Sequence, residues 1–462
     1  MNTDVRTESD SMGSVTLPAD ALWGAQTQRA VDNFPVSGKR MPRPFIEALL
    51  EIKRAAAISN QALDCLPGDK ADAIVSAVDA LLGDAELMRH FPVDVFQTGS
   101  GTSSNMNANE VIAHRASEHA ESAIHPNDHV NFGQSSNDVV PSAISLSIAR
   151  TVQFALLPAL NALRETISRR GEELASVSKT GRTHLMDAMP VRFDQVLGGW
   201  HAQLTAVQAR LGQSLSRLTE IPLGGTAVGT GINTHPYFAA RATAELSERC
   251  GIEVRSVETA RRFSLMGSVD EVVSLSGELR SLSVSLMKIS NDLRWMNSGP
   301  LAGLGEIRLP ELQPGSSIMP GKVNPVICES VAMVCARVMG NDATIGIAGQ
   351  SGSFELNVMM PVVADSALES VEILANAMDI LNGKAIAGFE LIEENIQESL
   401  ARNPILVTAL NPIIGYAAAA AIAKKAYASG QPIIDVAEAE TELEREQLTE
   451  LLDPRKLTEG GL

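Results

Sequence analysis

Several long stretches of the chain carry apolar residues with very few charged residues between them. From Val272 onward, apolar residues recur at alternating steps of three and four, which is the spacing of one face of a long helix. This face comprises Val272, Leu275, Leu279, Leu282, Leu286, Ile289 and Leu293. Ser and Gly fill many positions between them, so the sequence predicts a long helix that neighbouring helices approach closely.

Two more segments are as poor in charge. Arg150 is the only charged residue between Asp138 and Arg164, and the 25 residues from Pro325 carry only three charges. Both segments are too long for strands, and a helix that is apolar on most sides is a buried helix. Pro158 removes one backbone donor, so we expect a kink or local break there. One bundle cannot cover so many apolar helices, and we expect a homo-oligomer that buries this region.

The flanks of this central region have a different pattern. Residues 1–133 mix shorter helices with polar loops, and residues 389–462 are Ala-rich and then charged. Neither a βαβ rhythm nor a strand–turn–strand alternation stands out. The sequence therefore predicts an all-α fold in three domains, 1–133, 134–388 and 389–462, with long helices in the middle one.

Composition restricts the possible partners. Hydrophobic residues make up 45% of the 462 and aromatic residues 4%, which is typical of helices packed through aliphatic side chains. The formal net charge of −18 argues against nucleic acid and against an anionic membrane surface as partners. A small anionic substrate would need positive charge concentrated at its own site.

The cysteines and the first residues bear on location. Cys65, Cys250, Cys328 and Cys335 are scattered, which indicates neither a zinc site, an iron–sulfur cluster nor a disulfide framework. The first 14 residues contain acids and no apolar run, and no segment has the uninterrupted apolar length expected of a membrane helix. We expect a cytoplasmic protein.

The segment GSSIMPGKVNP, residues 315–325, resembles a phosphate-binding loop only superficially. Five residues separate Gly315 from Gly321 where that motif has four, and Val323 replaces the hydroxyl that should follow Lys322. What remains is a flexible segment with hydroxyls, a cation and an amide. By itself it is most simply an ordinary polar loop.

Three other polar loops adjoin apolar helices, at residues 99–110, 125–138 and 181–190. A single Ser, Thr or Asn before a helix is most simply an N-cap. Four such loops make convergence on one cleft the better hypothesis, because hydroxyls, amides and helix N-termini bind anions.

The motifs GSSIMPGKVNP, RTHLMDAMP, HPNDHVN, QSSND and LWGAQTQRAVDNF occur in the order found in class II fumarases. The chain resembles that family, within the fumarase/aspartase superfamily, over essentially its whole length. The loop at 315–325 marks only the superfamily, which includes argininosuccinate and adenylosuccinate lyases. Thr183-His184 is more specific, because aspartases have Gln in place of His184.

The resemblance implies reversible addition of water to fumarate to give L-malate, a step of the tricarboxylic acid cycle, without a metal or organic cofactor. It also implies a homotetramer whose central helices form one shared bundle. Each active site would then be assembled from three subunits.

The resemblance also assigns roles to residues. Ser316 would be the base that removes a proton next to a carboxylate, and it needs stabilisation of its alkoxide by loop N–H groups and Lys322. His184 would handle the departing hydroxyl, with its imidazole oriented by Glu329. Lys322 and Asn324 suit the charge that develops on the substrate carboxylate. The loop at 315–325 would close over the substrate, with glycines at both ends permitting the movement.

Other positions match those that bind substrate in the family. They are Ser100, Gly101, Thr102, Ser135, Ser136, Asn137, Thr183, Ser317, Lys322, Val323 and Asn324. The HPND motif, His125, Pro126, Asn127 and Asp128, resembles a second dicarboxylate site, although ESAI precedes it where relatives have basic residues. Two alternatives stay open: another lyase of the superfamily, such as an aspartase, and a non-catalytic helical scaffold.

Overall fold

The computed structural model describes residues 4–118, 120 and 122–460, and most of them are helical. In the first half of the chain the α-helices are α1 Ala25–Asn33, α2 Arg43–Ala62, α3 Gly68–Leu82, α4 Thr102–Ser117, α5 Ser136–Thr151, α6 Leu157–Glu173 and α7 Phe193–Leu218. In the second half they are α8 Phe238–Cys250, α9 Thr259–Gly267, α10 Asp270–Met296, α11 Val326–Gly349, α12 Met360–Lys384, α13 Glu393–Ala401, α14 Asn411–Ile414, α15 Tyr416–Ser429, α16 Ile433–Glu440 and α17 Arg445–Leu451.

The strands are short and pair only in twos. They are β1 Val5–Asp10, β2 Gly13–Pro18, β3 Ser178–Thr183, β4 Met186–Arg192, β5 Glu220–Ile221, β6 Arg255–Ser256, β7 Ile307–Arg308, β8 Gly352–Ser353, β9 Leu356–Asn357 and β10 Glu390–Leu391. The all-α class is confirmed, but β1–β2 and β3–β4 are antiparallel hairpins that the sequence analysis missed. β1 (VRTESD) and β3 (SKTGRT) consist almost entirely of polar or charged residues, so neither hairpin has a regular apolar alternation.

Short segments of other helical types complete the chain. The 3₁₀ turns are Leu87–His90, Ile386–Gly388, Pro404–Leu410 and Lys456–Thr458, and the π-helical turns are Pro126–Val130 and Val152–Leu156. The second π-helical turn ends just before Pro158. The local distortion expected there is confirmed, because the carbonyl four residues before a proline loses its helical donor.

The heptad pattern from Val272 forms the buried face of α10, as predicted. Its seven apolar residues are each at most 3% exposed. Two helical stretches, 136–173 and 326–349, do reach the length and apolarity of a membrane span, so the expectation about segment length was wrong. A core helix of a soluble protein passes the same test, which makes this weak evidence for a membrane.

The chain divides into two compact units. Unit 1 consists of Met1–Pro158, Gln208–Ser283 and Ala336–Ala375, and unit 2 of Ala159–Val207, Val284–Cys335 and Asn376–Leu462. The core of unit 1 includes the fully buried face of α2, with Phe45, Leu49 and Ile52. In unit 2, α15–α17 and the preceding 3₁₀ turn enclose a hydrophobic cluster of their own. The three-domain division at 133 and 388 stays a prediction.

Candidate active site

Unit 1 holds the start of α4, where three predicted substrate-binding residues lie. Gly101 caps the helix in a left-handed conformation with φ of +73°, which glycine adopts without strain. The Ser100 and Thr102 hydroxyl oxygens are 2.8 Å apart and share a hydrogen bond. Two N–H groups of the first helical turn are already bonded to side chains of the preceding loop, so this helix start offers a ligand chiefly its two hydroxyls.

The start of α5 carries the second predicted set, Ser135, Ser136 and Asn137. Ser135 is the N-cap, and its hydroxyl accepts the Asn137 N–H at 3.2 Å. The Asp138 carboxylate in turn accepts the Ser135 N–H at 2.9 Å, completing a capping box. The capping interpretation is therefore correct for Ser135 and wrong for Asn137, which lies inside the helix.

These two helix starts lie together. The Asn105 amide nitrogen donates to the Ser136 hydroxyl at 3.0 Å, and a side chain at Gly101 would meet Val140 of α5 at 2.8 Å. Two of the four predicted loops are therefore neighbours in unit 1. Two adjacent helix N-termini concentrate N–H groups and positive dipole ends, which suits a carboxylate.

Two further segments of unit 1, which sequence reasoning did not assign to the site, support these helix starts. The Asp138 carboxylate accepts the N–H groups of Gly224 and Thr226 at 2.9 and 3.0 Å, and the Asn137 amide donates to the Ala227 carbonyl at 2.9 Å. Residues 224–231 alternate glycines with small residues, and Gly224 and Thr226 both have positive φ. That glycine pattern was the available signal.

The segment after β9 is the other unassigned one. The Met360 N–H donates to the Gly99 carbonyl at 3.0 Å, and a side chain at Gly99 would lie 1.8 Å from the Val358 carbonyl oxygen. Gly99 is therefore required by close approach of two backbones. No pattern in the sequence connects Gly99 with Met360, which lies 261 positions later.

A buried lysine and a buried carboxyl lie behind this half of the site. Desolvation lowers the pKa of Lys53 to about 7, although the charge of Asp138 opposes this shift. Desolvation also raises the pKa of the Asp138 carboxyl, against the N–H groups that it accepts and against Lys53. Both groups are fully buried, with exposed fractions of 0%.

The HPND motif forms the π-helical turn Pro126–Val130. The His125 ring accepts the N–H groups of Asn127 and Asp128 at 3.3 and 3.1 Å, and its side chain remains about half exposed. A cavity of about 720 Å³ adjoins it, and its lining includes the carboxylates Glu8, Asp10, Glu110 and Glu118. The second dicarboxylate site stays a prediction. Of the preceding ESAI segment, Glu121 lies outside the described residues.

In unit 2, Thr183 and His184 lie at the tip of the β3–β4 hairpin. His184 and Leu185 form its two-residue turn with φ of +57° and +60°, the left-handed pair of a type I′ turn. Both side chains are exposed. A histidine tolerates this conformation less readily than Asn or Gly, so the turn holds the imidazole outward at a cost in strain.

A buried ion cluster fixes the base of that hairpin. The Glu306 carboxylate, 2% exposed, accepts from Lys179 at 2.7 Å and from Arg182 at 2.6 Å. Burial lowers the pKa of Lys179, and the neighbouring Glu306 opposes this. Arg182 immediately precedes Thr183, so the cluster holds the strand that carries the predicted catalytic histidine. No sequence pattern indicates this pairing, because Glu306 lies more than 120 residues after its partners.

The loop at 315–325 is closed at its base by hydrogen bonds. The Gly315 N–H donates to the Lys322 carbonyl and the Asn324 amide donates to the Gly315 carbonyl, both at 2.7 Å. A side chain at Gly315 would lie 2.6 Å from the Lys322 carbonyl oxygen. Gly315 therefore serves close packing, while Gly321 takes a turn conformation with φ of +80°. The predicted closing movement stays a prediction, but Gly315 is no free hinge.

The Ser316 hydroxyl points into its own loop. Its oxygen accepts the N–H groups of Ile318 and Met319 at 3.3 and 3.1 Å. Two backbone donors aimed at one oxygen stabilise negative charge on it. This arrangement supplies the backbone stabilisation that a serine alkoxide requires.

The remaining predicted residues of unit 2 are open to solvent. Ser317, Lys322 and Val323 are exposed, as is Glu329 in the first turn of α11. Among the described residues, Glu329 makes neither a hydrogen bond nor an ion pair with His184. A cavity of about 740 Å³ in this unit is lined by Lys322, Val323, Asn324 and Glu329, together with the arginines Arg294 and Arg308. Within one chain, the predicted imidazole–carboxylate pair is therefore not formed.

Within residues 4–118, 120 and 122–460, no group of three or more His, Cys, Asp or Glu side chains lies together in a way that could hold a metal ion. The positive groups at the predicted site are side chains and helix N-termini.

Comparison with known proteins identifies relatives over the full length. The Lyase family model matches residues 13–340, and the Fumarase C C-terminus model matches residues 406–459. Fumarate hydratase class II 2 of Pseudomonas aeruginosa is 58% identical over 100% of both chains. Fumarate hydratase class II of Xylella fastidiosa is 56% identical over 99% of this chain and 96% of its own.

A solved structure agrees with these relatives. The recombinant class II fumarase of Schistosoma mansoni superposes with a TM-score of 0.94 at 35% sequence identity, covering 98% of this chain and 99% of its own. The similarity therefore includes the fold as well as the sequence.

Proposed function

The chain belongs to the class II fumarate hydratase family and catalyses the reversible hydration of fumarate to (S)-malate, and we propose that the residues described above carry out this reaction as follows. In the malate-to-fumarate direction, the Ser316 alkoxide takes the proton from C3 of malate. The C2–O bond then breaks, and His184 gives a proton to the departing hydroxyl, which leaves as water.

The charge that develops during this reaction needs a stabilising partner. Removal of the C3 proton places negative charge on the adjacent carboxylate, and the Lys322 ammonium and the Asn324 amide are suited to it. The second carboxylate binds at the N-termini of α4 and α5, through Thr102, Ser136 and Asn137. Two adjoining helix starts supply donors for a dianion in a protein whose net charge is −18.

One observation carries the assignment of the base. The Ser316 oxygen accepts two backbone N–H groups from its own loop. An isolated serine is a poor base at neutral pH, and these two donors favour its deprotonated form before substrate arrives.

The reaction itself is tested by following fumarate absorbance at 240 nm with malate or with aspartate as substrate. We expect absorbance to rise with malate and to stay flat with aspartate. A rise with aspartate alone would make the protein an ammonia-lyase and overturn the hydratase function.

We also propose a homotetramer in which each active site is completed by other subunits. Long apolar helices are exposed in the single chain: Val284 and Trp295 of α10 and Met333 of α11 are 55%, 52% and 68% exposed. In α11, 33% of the most apolar 18-residue window is buried within the chain. Exposed apolar area of this kind supports association, and Glu329 and His184 would then find partners on other subunits.

Two measurements test the assembly. Light scattering should give about four times the chain mass of 49.0 kDa at micromolar concentration. Mixed tetramers of Ser316→Ala and His184→Asn chains should regain activity that neither variant has alone, because some sites then receive both intact residues. A monomer, or mixtures as inactive as the separate variants, would contradict shared sites.

We propose a cytoplasmic location, supported by four free cysteine thiols, three of them buried. Fractionation of the native cells should place the activity with cytoplasmic markers. Activity in an extracellular or membrane fraction would refute this.

A further inference from the structure

Behind the start of α5, unit 1 buries amide side chains around the Lys53 amine. We propose that Lys53, Asn131 and Asn105 are positioning residues that fix the direction of the Ser136 hydroxyl, so that it can only donate to the ligand. This inference rests on the proposed role of Ser136 in binding a substrate carboxylate. The consequence is a preference for ligands that present an acceptor at this point.

The series of hydrogen bonds starts at Lys53. Its nitrogen donates to the Asn131 side-chain oxygen at 2.8 Å and to the Gln134 side-chain oxygen at 3.0 Å. An amine with these two oxygens beside it donates to both of them, whether or not it is charged. The Gln134 nitrogen accordingly faces the carbonyl oxygens of Val130 and Phe132. Lys53 therefore determines which end of each amide faces it.

The Asn131 oxygen in turn determines the orientation of two side-chain amides of α4. Besides Lys53, it accepts from the amide nitrogens of Asn105 and Asn109, at 3.3 and 3.2 Å. Both asparagines are at most 1% exposed. Turning either amide over would place its oxygen against the Asn131 oxygen, so each must direct its nitrogen there.

Asn105 ends the series at the ligand-binding surface. The same amide nitrogen that faces Asn131 donates to the Ser136 hydroxyl oxygen at 3.0 Å. A hydroxyl can donate or accept, but this one already accepts from inside the protein, so its hydrogen is free to point outward. Ser136 is the first residue of α5, where N–H groups also favour an anion. The Ser136 hydroxyl hydrogen is then directed at an acceptor-only group such as a carboxylate.

Asn109 offers a matched control, because it lies one turn further along the same helix and donates to the same Asn131 oxygen. Among the described residues its amide donates to Asn131 and to the Met106 sulfur, and it makes no hydrogen bond to Ser136. The substitutions Asn105→Asp and Asn109→Asp add the same charge to the same cluster. Only the first replaces the donor to Ser136 with an acceptor, which would turn the hydroxyl hydrogen inward.

The readout is the Kd of succinate, a dicarboxylate that cannot be dehydrated, measured by calorimetry on the full-length protein. We expect Asn105→Asp to raise this Kd about 10-fold or more, since a hydrogen bond to a charged ligand is lost, and Asn109→Asp to change it less than about 3-fold. In a Ser136→Ala background, Asn105→Asp should add less than about 2-fold. Equal effects of the two Asp variants, or an undiminished effect without the Ser136 hydroxyl, would overturn the proposal.

Two further comparisons distinguish an error in the binding role of Ser136 from an error in the positioning role of Asn105. If Asn105→Asp does not fold, Asn105→Ala and Asn109→Ala replace the pair, and we expect a Kd increase only for the first. If Ser136→Ala alone leaves the Kd of succinate unchanged, the binding role of Ser136 is wrong, and the proposal falls with it. If Ser136→Ala weakens binding while the Asn105 and Asn109 variants behave alike, only the positioning role is wrong.

Discussion

The proposed binding surface of unit 1 and the proposed catalytic loop and hairpin of unit 2 differ in the contacts that hold them. At the start of α5, the buried Asn105 amide donates to the Ser136 hydroxyl, and the buried Asp138 carboxylate accepts the Ser135 and Gly224 N–H groups. In unit 2, His184 and Glu329 are exposed, and the loop at 315–325 is held mainly by its own backbone. A single chain therefore orients the proposed carboxylate-binding groups, but leaves the proposed proton-transfer groups open to solvent.

This difference has a physical reason. A binding surface for a rigid dianion gains affinity from donors that are oriented in advance, because no ordering cost remains at binding. Proton-transfer groups must meet the substrate from more than one side, and the proposed tetramer would bring other subunits to the groups that one chain leaves exposed. Substitutions in each unit can test this contrast.

The largest effect should come from Ser316→Ala in the exposed loop. We expect kcat for malate dehydration to fall by about 10²–10⁴-fold, the usual contribution of a general base. Because the loop is exposed, thermal stability should change little, as judged by circular dichroism. Near-normal kcat in the variant would show that another group is the base.

Glu306→Leu tests whether the buried ion cluster at the base of the β3–β4 hairpin stabilises the protein. The substitution leaves Lys179 and Arg182 without their carboxylate, and breaking a buried pair costs about 3–5 kcal/mol. Denaturant unfolding should show this loss. Glu390→Leu is the matched control, because its pair with Arg308 is exposed at 3.4 Å and should contribute less than about 1 kcal/mol. Equal losses in the two variants would mean that the buried cluster contributes no more to stability than the exposed pair.

The buried lysine of unit 1 should give stability an unusual pH dependence. The folded-state pKa of Lys53, about 7, lies below the ordinary value of 10.5, so between these pH values the unfolded chain binds more protons. The Lys53 contribution to the free energy of unfolding should therefore rise with pH, by about 2 kcal/mol from pH 7 to pH 9. The free energy of unfolding is measured between pH 7 and pH 9 for the unmodified protein and for Lys53→Met. The difference between the two isolates the Lys53 contribution. A difference that stays flat across this range would mean that Lys53 titrates normally.

The smallest effect concerns thiols on α11, near the exposed Glu329. Burial raises the pKa of Cys328 and of Cys335 to about 12, so both should resist alkylation at pH 8. Cys65, which is only partly buried, should react first. Mass spectrometry after brief treatment with iodoacetamide measures the order. Early labelling of Cys328 would show that α11 opens in solution.

Local features of the fold could be predicted from sequence because their causes are local. The three-and-four spacing from Val272 specifies a helix with one buried face, and α10 has that face. Pro158 lacks a backbone donor, and the π-helical turn before it follows. The hairpin β3–β4 was missed because its strands alternate weakly, although the positive φ of its turn is what fixes His184 outward.

The motifs likewise indicated which residues belong to a fumarate hydratase, but not what orients them. The sequence by itself determined the helices, the family and the candidate residues, because helix periodicity and motif chemistry are properties of neighbouring positions. Only the tertiary structure decided that Asn105 faces Ser136, that Glu306 holds the hairpin and that Gly99 meets Val358. Such contacts join residues distant in sequence, and their geometry depends on how the helices pack.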